Sequence, residues 1–213
     1  MSNKDQKIFC IGFNKTGTTS LHNFFESCGL SSVHNTEWCH YSYVKKGKDY
    51  FVDQCYTDGE QSNFTLLEKW FPNSLFILNT RNKKEWLYSR VKHVMRRNDN
   101  VDLKSVLTKK KYGKMAKDFY SNEATAIQKW LLDRDLYHKQ ARIYFQNKQN
   151  FLEVDVTKST QWAEDLVLFF DRNGVQYTNS ESIKPIHTNK RKADDLANKD
   201  LLSEYFSLID KMF

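Results

Sequence analysis

Proline occurs twice in 213 residues and glycine only seven times. So few breakers exclude a collagenous, linker-rich or low-complexity chain. No self-similarity at solenoid or propeller spacing is present, which removes the repeat architectures. No apolar run approaches the ~20 residues of a membrane span, and the first residues, MSNKDQK, lack the apolar core of a signal peptide. The four cysteines, Cys10, Cys28, Cys39 and Cys55, form neither a CxxC pair nor a disulfide framework. Cys28, His34, Cys39 and His40 lie close in sequence but fit no zinc spacing, so no metal is expected. These absences together predict a cytoplasmic protein without a membrane span.

What the chain has in quantity is aromatic side chains, 15% of its residues, and positive charge. With a mean hydropathy of −0.73, Phe, Tyr and Trp must supply much of any core. Its length suits one domain spanning residues 1–213. A net charge of +7 favours anionic partners. The basic residues cluster at 45–48, 96–98, 109–114 and 189–192, although any one such run is equally explained by a solvated face. No nucleic-acid-binding motif accompanies them, so no nucleic-acid partner is expected.

Strand and helix patterns alternate along the chain. KIFCIGF (7–13) reads as a buried strand, and residues 20–29 place Leu21, Phe24, Phe25 and Cys28 at helical spacing, with Gly29 as a C-cap. Weaker strands are expected at 32–34 and 51–57, a helix at 62–71, and the clearest strand, SLFILNT, at 74–80. A helix at 83–95, a loop at 98–114, a long helix at 121–147, a strand at 151–156 and a helix at 159–172 follow. An irregular tail from 175 and an amphipathic helix at 194–212 end the chain. Such alternation predicts an α/β fold of three layers, helices on both faces of a central parallel sheet, with ligands at the carboxyl ends of the strands.

The ends of the first and fourth strands carry the chemistry. In IGFNKTGTTSLH (11–22), Gly12 and Gly17 are spaced as in G-x-x-x-x-G-K-[ST], and Thr19 fills the Ser/Thr position. Gly17 lets the backbone approach a phosphate, and the amides opening the helix can bind it. In an NTPase a lysine directly after the second glycine reaches the β- and γ-phosphates. Here that position is Thr18, and Lys15 stands two residues before the glycine. A lysine on the crest of the loop suits the bridging oxygen of a shorter, diphosphate-like group. No metal-binding carboxylate stands at a strand end in the expected context; Asp58 is the nearest.

KTGTTSL (15–21) resembles the 5′-phosphosulfate loop of sulfotransferases that use 3′-phosphoadenosine 5′-phosphosulfate (PAPS). That family carries a second mark, an arginine past a later strand and a serine on the helix behind it, which hold the 3′-phosphate. FILNTRNKKEWLYSR (76–90) supplies Arg81 and, eight positions on, Ser89. The resemblance implies a P-loop-NTPase-like sulfotransferase architecture and PAPS as donor, with 3′-phosphoadenosine 5′-phosphate (PAP) as product. It implies a nucleotide site formed by Asn14, Lys15, Thr16, Gly17, Thr18, Thr19, Ser20, Arg81 and Ser89. PIHTNKRK (185–192) resembles the family's late basic loop, which adds Asn189, Lys190 and Arg191, although the usual R-K-G-x-x-G form is absent.

On that reading Lys15 neutralises charge on the leaving oxygen, and a histidine or acidic base takes the acceptor's proton. His34 and Glu37, in SSVHNTEW, are the leading pair; Asp58 and Glu60, in YTDGE, come next. His34 can equally be a structural histidine. Trp130, Arg134, Tyr137 and His138 could line an acceptor pocket, but such a stripe is more often core. Nothing selects the hydroxyl acceptor; the basic clusters favour an anionic glycan, and the oligomeric state stays open. Two other functions compete: a kinase using ATP·Mg²⁺, and a silent nucleotide-binding module of the same architecture.

Overall fold

The computed structural model describes residues 6–40, 45–97, 114–158, 160–178 and 199–213. In chain order the elements are β1 (Ile8–Cys10), α1 (Thr18–Ser27), β2 (Ser32–His34), β3 (Cys55–Thr57), α2 (Phe64–Trp70), β4 (Leu75–Asn79), α3 (Lys83–Arg97), α4 (Lys114–Ser121), α5 (Glu123–Tyr144), β5 (Phe151–Val154), α6 (Trp162–Arg172) and α7 (Lys199–Asp210). Short 3-10 turns cover Glu37–Cys39 and Lys48–Tyr50. The chain clusters into two compact units, Met1–Arg81 with Tyr137–Thr188, and Asn82–Leu136 with Asn189–Phe213.

The first unit is α/β. Its sheet has five strands in the order β2-β3-β1-β4-β5, and every pairing is parallel. The pleat sends alternate side chains to opposite faces. Ile8, Cys10, Cys55, Leu75 and Ile77 pack with Leu21, Phe24 and Phe25 of α1 and with Trp162, Leu166 and Phe170 of α6. Their neighbours Phe9, Tyr56 and Phe76 face the other way. Phe9 stacks between Tyr56 (5.4 Å) and Phe76 (5.6 Å), and touches Trp38, Phe51 and Phe71. Phe76 continues to Phe145, which meets Phe64 of α2 and Phe151 of β5. The sheet therefore lies between helices on both faces, and the aromatic residues build one of the two cores, as their abundance predicts.

The second unit is described by its helices alone. Phe119 of α4 stacks on Trp130 (5.4 Å) and meets the ring of Tyr205 on α7. The guanidinium of Arg90 lies over Trp86 and Trp130, and that of Arg134 over Trp86. Lys84 of α3 pairs with Asp210 of α7 at 2.9 Å.

Several boundaries differ from those expected. The strand expected at 51–57 is paired only over Cys55–Thr57, because the backbone at 48–50 turns in a 3-10 helix to bury Phe51. The helix expected at 121–147 runs over Glu123–Tyr144 and is preceded by a separate helix, α4, over Lys114–Ser121, most of which follows the loop expected at 98–114, where no element is expected. Asn122 makes that break, its Oδ1 accepting from the amide of Thr125 as an N-cap does. The helix expected from 194 is described from Lys199. No described helix is long and apolar enough to cross a membrane.

Candidate functional site

The site gathers at the carboxyl ends of β1, β2, β3 and β4. From β1 the chain enters a loop whose shape is fixed from beneath by Asn79, the last residue of β4. Asn79 is fully buried; its Oδ1 accepts from the amide of Gly12 (3.0 Å) and its Nδ2 donates to Thr16 Oγ1 (2.6 Å). The Thr16 hydroxyl in turn donates to the carbonyl of Phe13 (2.5 Å). A Cβ on Gly12 would lie 2.0 Å from the carbonyl oxygen of Asn79, so only glycine fits there.

Lys15 and Gly17 both take the left-handed conformation, at φ 67 and 88. Gly17 is the N-cap of α1, and its carbonyl accepts from Leu21. The first turn of α1 contains no acidic residue. Its free amides and the positive end of the helix dipole therefore meet no protein anion from within that turn, which is the electrostatic setting of an anion site. Arg81, just past β4, donates from Nη1 to the carbonyl oxygen of Lys15 (3.3 Å), tying the crest of the loop to the end of the fourth strand.

The other side of the loop meets His34, the last residue of β2. Its Nε2 lies 3.2 Å from Thr19 Oγ1 and its Nδ1 lies 2.8 Å from Thr57 Oγ1. The second contact follows from register, since His34 and Thr57 are partners across the β2–β3 pair. The carboxylate of Asp58 stands 3.6 Å from the same Nδ1, and the ring of His22 stacks on His34 at 5.4 Å. Burial holds His34 below its ordinary pKa; Asp58 opposes that shift, while the charges of His22 and Lys15 add to it. The balance favours the neutral form of the ring.

Asp58 has φ 67, a conformation that costs an L residue about 1–2 kcal/mol. It is held by Gly59, whose amide donates to the carbonyl of Cys10, and whose missing side chain admits the ring of Trp38. Trp38 donates from Nε1 to the Thr57 carbonyl (2.7 Å). Among the described residues Asp58 Oδ1 is buried without a hydrogen-bond partner.

Of the residues singled out in the sequence, the first unit brings together Lys15, Thr19, His34, Asp58 and Arg81. Asn14 and Gly17 are half-buried on the loop; Thr16, Thr18 and Ser20 are buried. The Thr16 side chain is spent inside the loop, so its amide is what it has to offer a ligand. Glu37 is exposed on a 3-10 turn, where its amide donates to Asn35 Oδ1 and its carbonyl accepts from His40. Glu60 gives its carbonyl to Cys39 Sγ (3.5 Å). Ser89 is half-buried on α3 in the second unit, and Asn189, Lys190 and Arg191 lie outside the described residues. Trp130, Arg134, Tyr137 and His138 are all buried, as a core stripe is. Cys28, His34, Cys39 and His40 are not gathered, and no described group of three His, Cys, Asp or Glu could hold a metal ion.

Asn79 and Thr57 were missed by the sequence reading. Asn79 sits within the quoted SLFILNT, where an asparagine ending an apolar strand was itself a signal. Thr57 had none, because its contact depends on strand pairing. No protein-family model matches the chain, and no curated protein is significantly similar to it.

Proposed function

We propose that the chain is a sulfotransferase that moves the sulfuryl group of PAPS to a hydroxyl of its acceptor. The observation that carries this reading is the imidazole of His34 standing between Thr19 and Asp58. In an NTPase the corresponding hydroxyl and a strand-end aspartate serve Mg²⁺. Two direct ligands of one Mg²⁺ can be no more than about 4.2 Å apart. The His34 ring, with Nε2 3.2 Å from Thr19 Oγ1 and Nδ1 3.6 Å from Asp58, puts an imidazole where such a metal would sit. Lys15 on the crest of the loop, rather than after Gly17, points the same way.

The residues fit the donor. The amides opening α1 meet the 5′-phosphate, with Lys15 beside the oxygen that bridges phosphorus and sulfur. Arg81 offers a planar guanidinium fork, a shape suited to the 3′-phosphate. Ser89 fills the family's serine position by sequence spacing alone. Thr19 has a single hydroxyl proton; turned to the phosphate, it leaves Nε2 of His34 open.

The transfer is an in-line displacement governed by position and charge. The acceptor oxygen bonds to sulfur as the sulfur–oxygen bond to the 5′-phosphate breaks. The acceptor's proton passes to His34 Nε2, and Lys15 stabilises the charge left on the phosphate of PAP. The sulfuryl group carries less charge than a phosphoryl, so the step needs no metal in principle.

The test is transfer from labelled PAPS into a panel of hydroxyl acceptors, sulfated and carboxylated glycans included. His34→Asn should retain PAP binding while transfer falls roughly 10²–10⁴-fold. Unchanged transfer in that variant removes His34 as the base. PAP binding with no transfer to any acceptor leaves a silent nucleotide-binding module.

A further inference from the structure

The hydroxyl of Thr57 touches two groups. It lies 3.2 Å from the carbonyl oxygen of Val33, with donor geometry, and 2.8 Å from His34 Nδ1. A carbonyl oxygen only accepts, and a threonine hydroxyl has one proton to give. With that proton on Val33, and with the Asp58 carboxylate 3.6 Å from the same nitrogen favouring a hydrogen there, the oxygen of Thr57 accepts and Nδ1 of His34 carries the hydrogen. The neutral ring then has its lone pair on Nε2, where the Thr19 hydroxyl donates to it. The four groups then form one chain, Thr19 to His34 to Thr57 to Val33, ending on a backbone carbonyl that can only accept.

We propose that Thr57 is a positioning residue that fixes the tautomer of His34, keeping the proton on Nδ1 so that the Nε2 lone pair faces the glycine-bearing loop. This rests on the reading of His34 as the base that accepts the acceptor's proton. Thr57 is fully buried at the end of β3 and pairs in register with His34. Its placement therefore comes from the sheet and not from a surface loop. The Asp58 carboxylate is 3.6 Å from the same nitrogen, outside hydrogen-bond range, and acts on the ring through its charge. His22 and Lys15 are the other charged or titratable groups acting on the ring. An imidazole with its hydrogen on Nε2 would present a donor to the acceptor and could not take its proton.

The experiment is nitrogen NMR of the full chain labelled with ¹⁵N-histidine, at a pH where His34 is neutral. Its signals are assigned by their loss in His34→Gln. The wild type should show a protonated Nδ1 and an unprotonated Nε2. Thr57→Val keeps the β-branched shape but removes the acceptor, and should convert His34 to a mixture or to the Nε2–H form. Thr57→Ser should restore the wild-type pattern, which a purely structural role for the residue would not require. A wild-type ring protonated on Nε2 overturns the proposal, as does an unchanged tautomer in Thr57→Val. If Thr57→Val does not fold, the wild-type spectrum alone decides. PAP is added to the same samples. Binding with the wrong tautomer overturns this inference alone, while the right tautomer without binding counts against the nucleotide reading alone.

Discussion

The side-chain amide of Asn79 donates to the hydroxyl oxygen of Thr16 at 2.6 Å, deep beneath the loop that follows β1. The same amide accepts from Gly12, so one side chain braces both ends of the turn. Asn79→Ala strands a buried N–H on Gly12 and removes the donor to Thr16. Each orphaned group costs about 1–3 kcal/mol, so a loss of roughly 2–5 kcal/mol is expected. Asn79→Asp keeps the acceptor for Gly12 and should lose less. Chemical denaturation of the three proteins checks the order.

Gly12 and Gly174 separate two reasons for conserving space at a glycine. A Cβ on Gly12 meets the backbone oxygen of Asn79, which cannot give way without parting β1 from β4. Gly174 has φ +66 but nothing within 4 Å. Gly174→Ala should therefore cost only about 1 kcal/mol of backbone strain. Gly12→Ala should cost about 3 kcal/mol or more, measured by denaturation.

The depressed pKa of His34 links stability to pH. In the unfolded chain the ring protonates near 6.5, its ordinary value; in the folded protein burial delays protonation to lower pH. Between these values the unfolded state holds more protons, so stability present above pH 6.5 is lost as the pH falls through the folded value. In His34→Asn the slope of stability against pH should flatten below 6.5. An identical slope in both proteins would show that the ring is protonated as easily folded as unfolded.

Thiol chemistry should be quiet in the native protein. Cys10 and Cys55 are buried and their thiols pushed well up by desolvation; burial raises Cys28 to about 11 and Cys39 to about 12. A thiol reagent at pH 8 should label none of the four quickly, and all four once the chain is unfolded. Rapid labelling of Cys39 in the native protein would contradict its packing against the carbonyls of Thr36, Asp58 and Glu60.

Short-range signals read well from the sequence. The apolar runs of β1 and β4 and the 3.6-residue spacing of α1 are local, and the structure keeps them within a few residues. The long helix was read to within two residues of its cap at Asn122, while the short helix over Lys114–Ser121, next to a charged stretch, was not read at all. The β-branched and aromatic residues before Cys55 imitate a strand, but among the described residues the strand β3 begins only at Cys55. Candidate site residues were legible where they sit on one loop, as Lys15 to Thr19 do. His34 and Asp58 were named as alternatives rather than as neighbours, because only the parallel pairing of β2 with β3 brings position 34 to position 57. Thr57 belongs to that same long-range information.

The central claim is that this loop and Arg81 hold a nucleotide phosphorylated at its 3′ position. The most direct measurement is calorimetric binding of PAP beside AMP, ADP and ATP·Mg²⁺, repeated as thermal shift. PAP should bind at least about tenfold more tightly than AMP without added metal, a difference of about 1.4 kcal/mol. At ~100 times its Kd, PAP should stabilise the fold by about 2.7 kcal/mol. The PAP advantage should vanish in Arg81→Ala. PAP binding no tighter than AMP, or a preference for ATP·Mg²⁺, would contradict that claim.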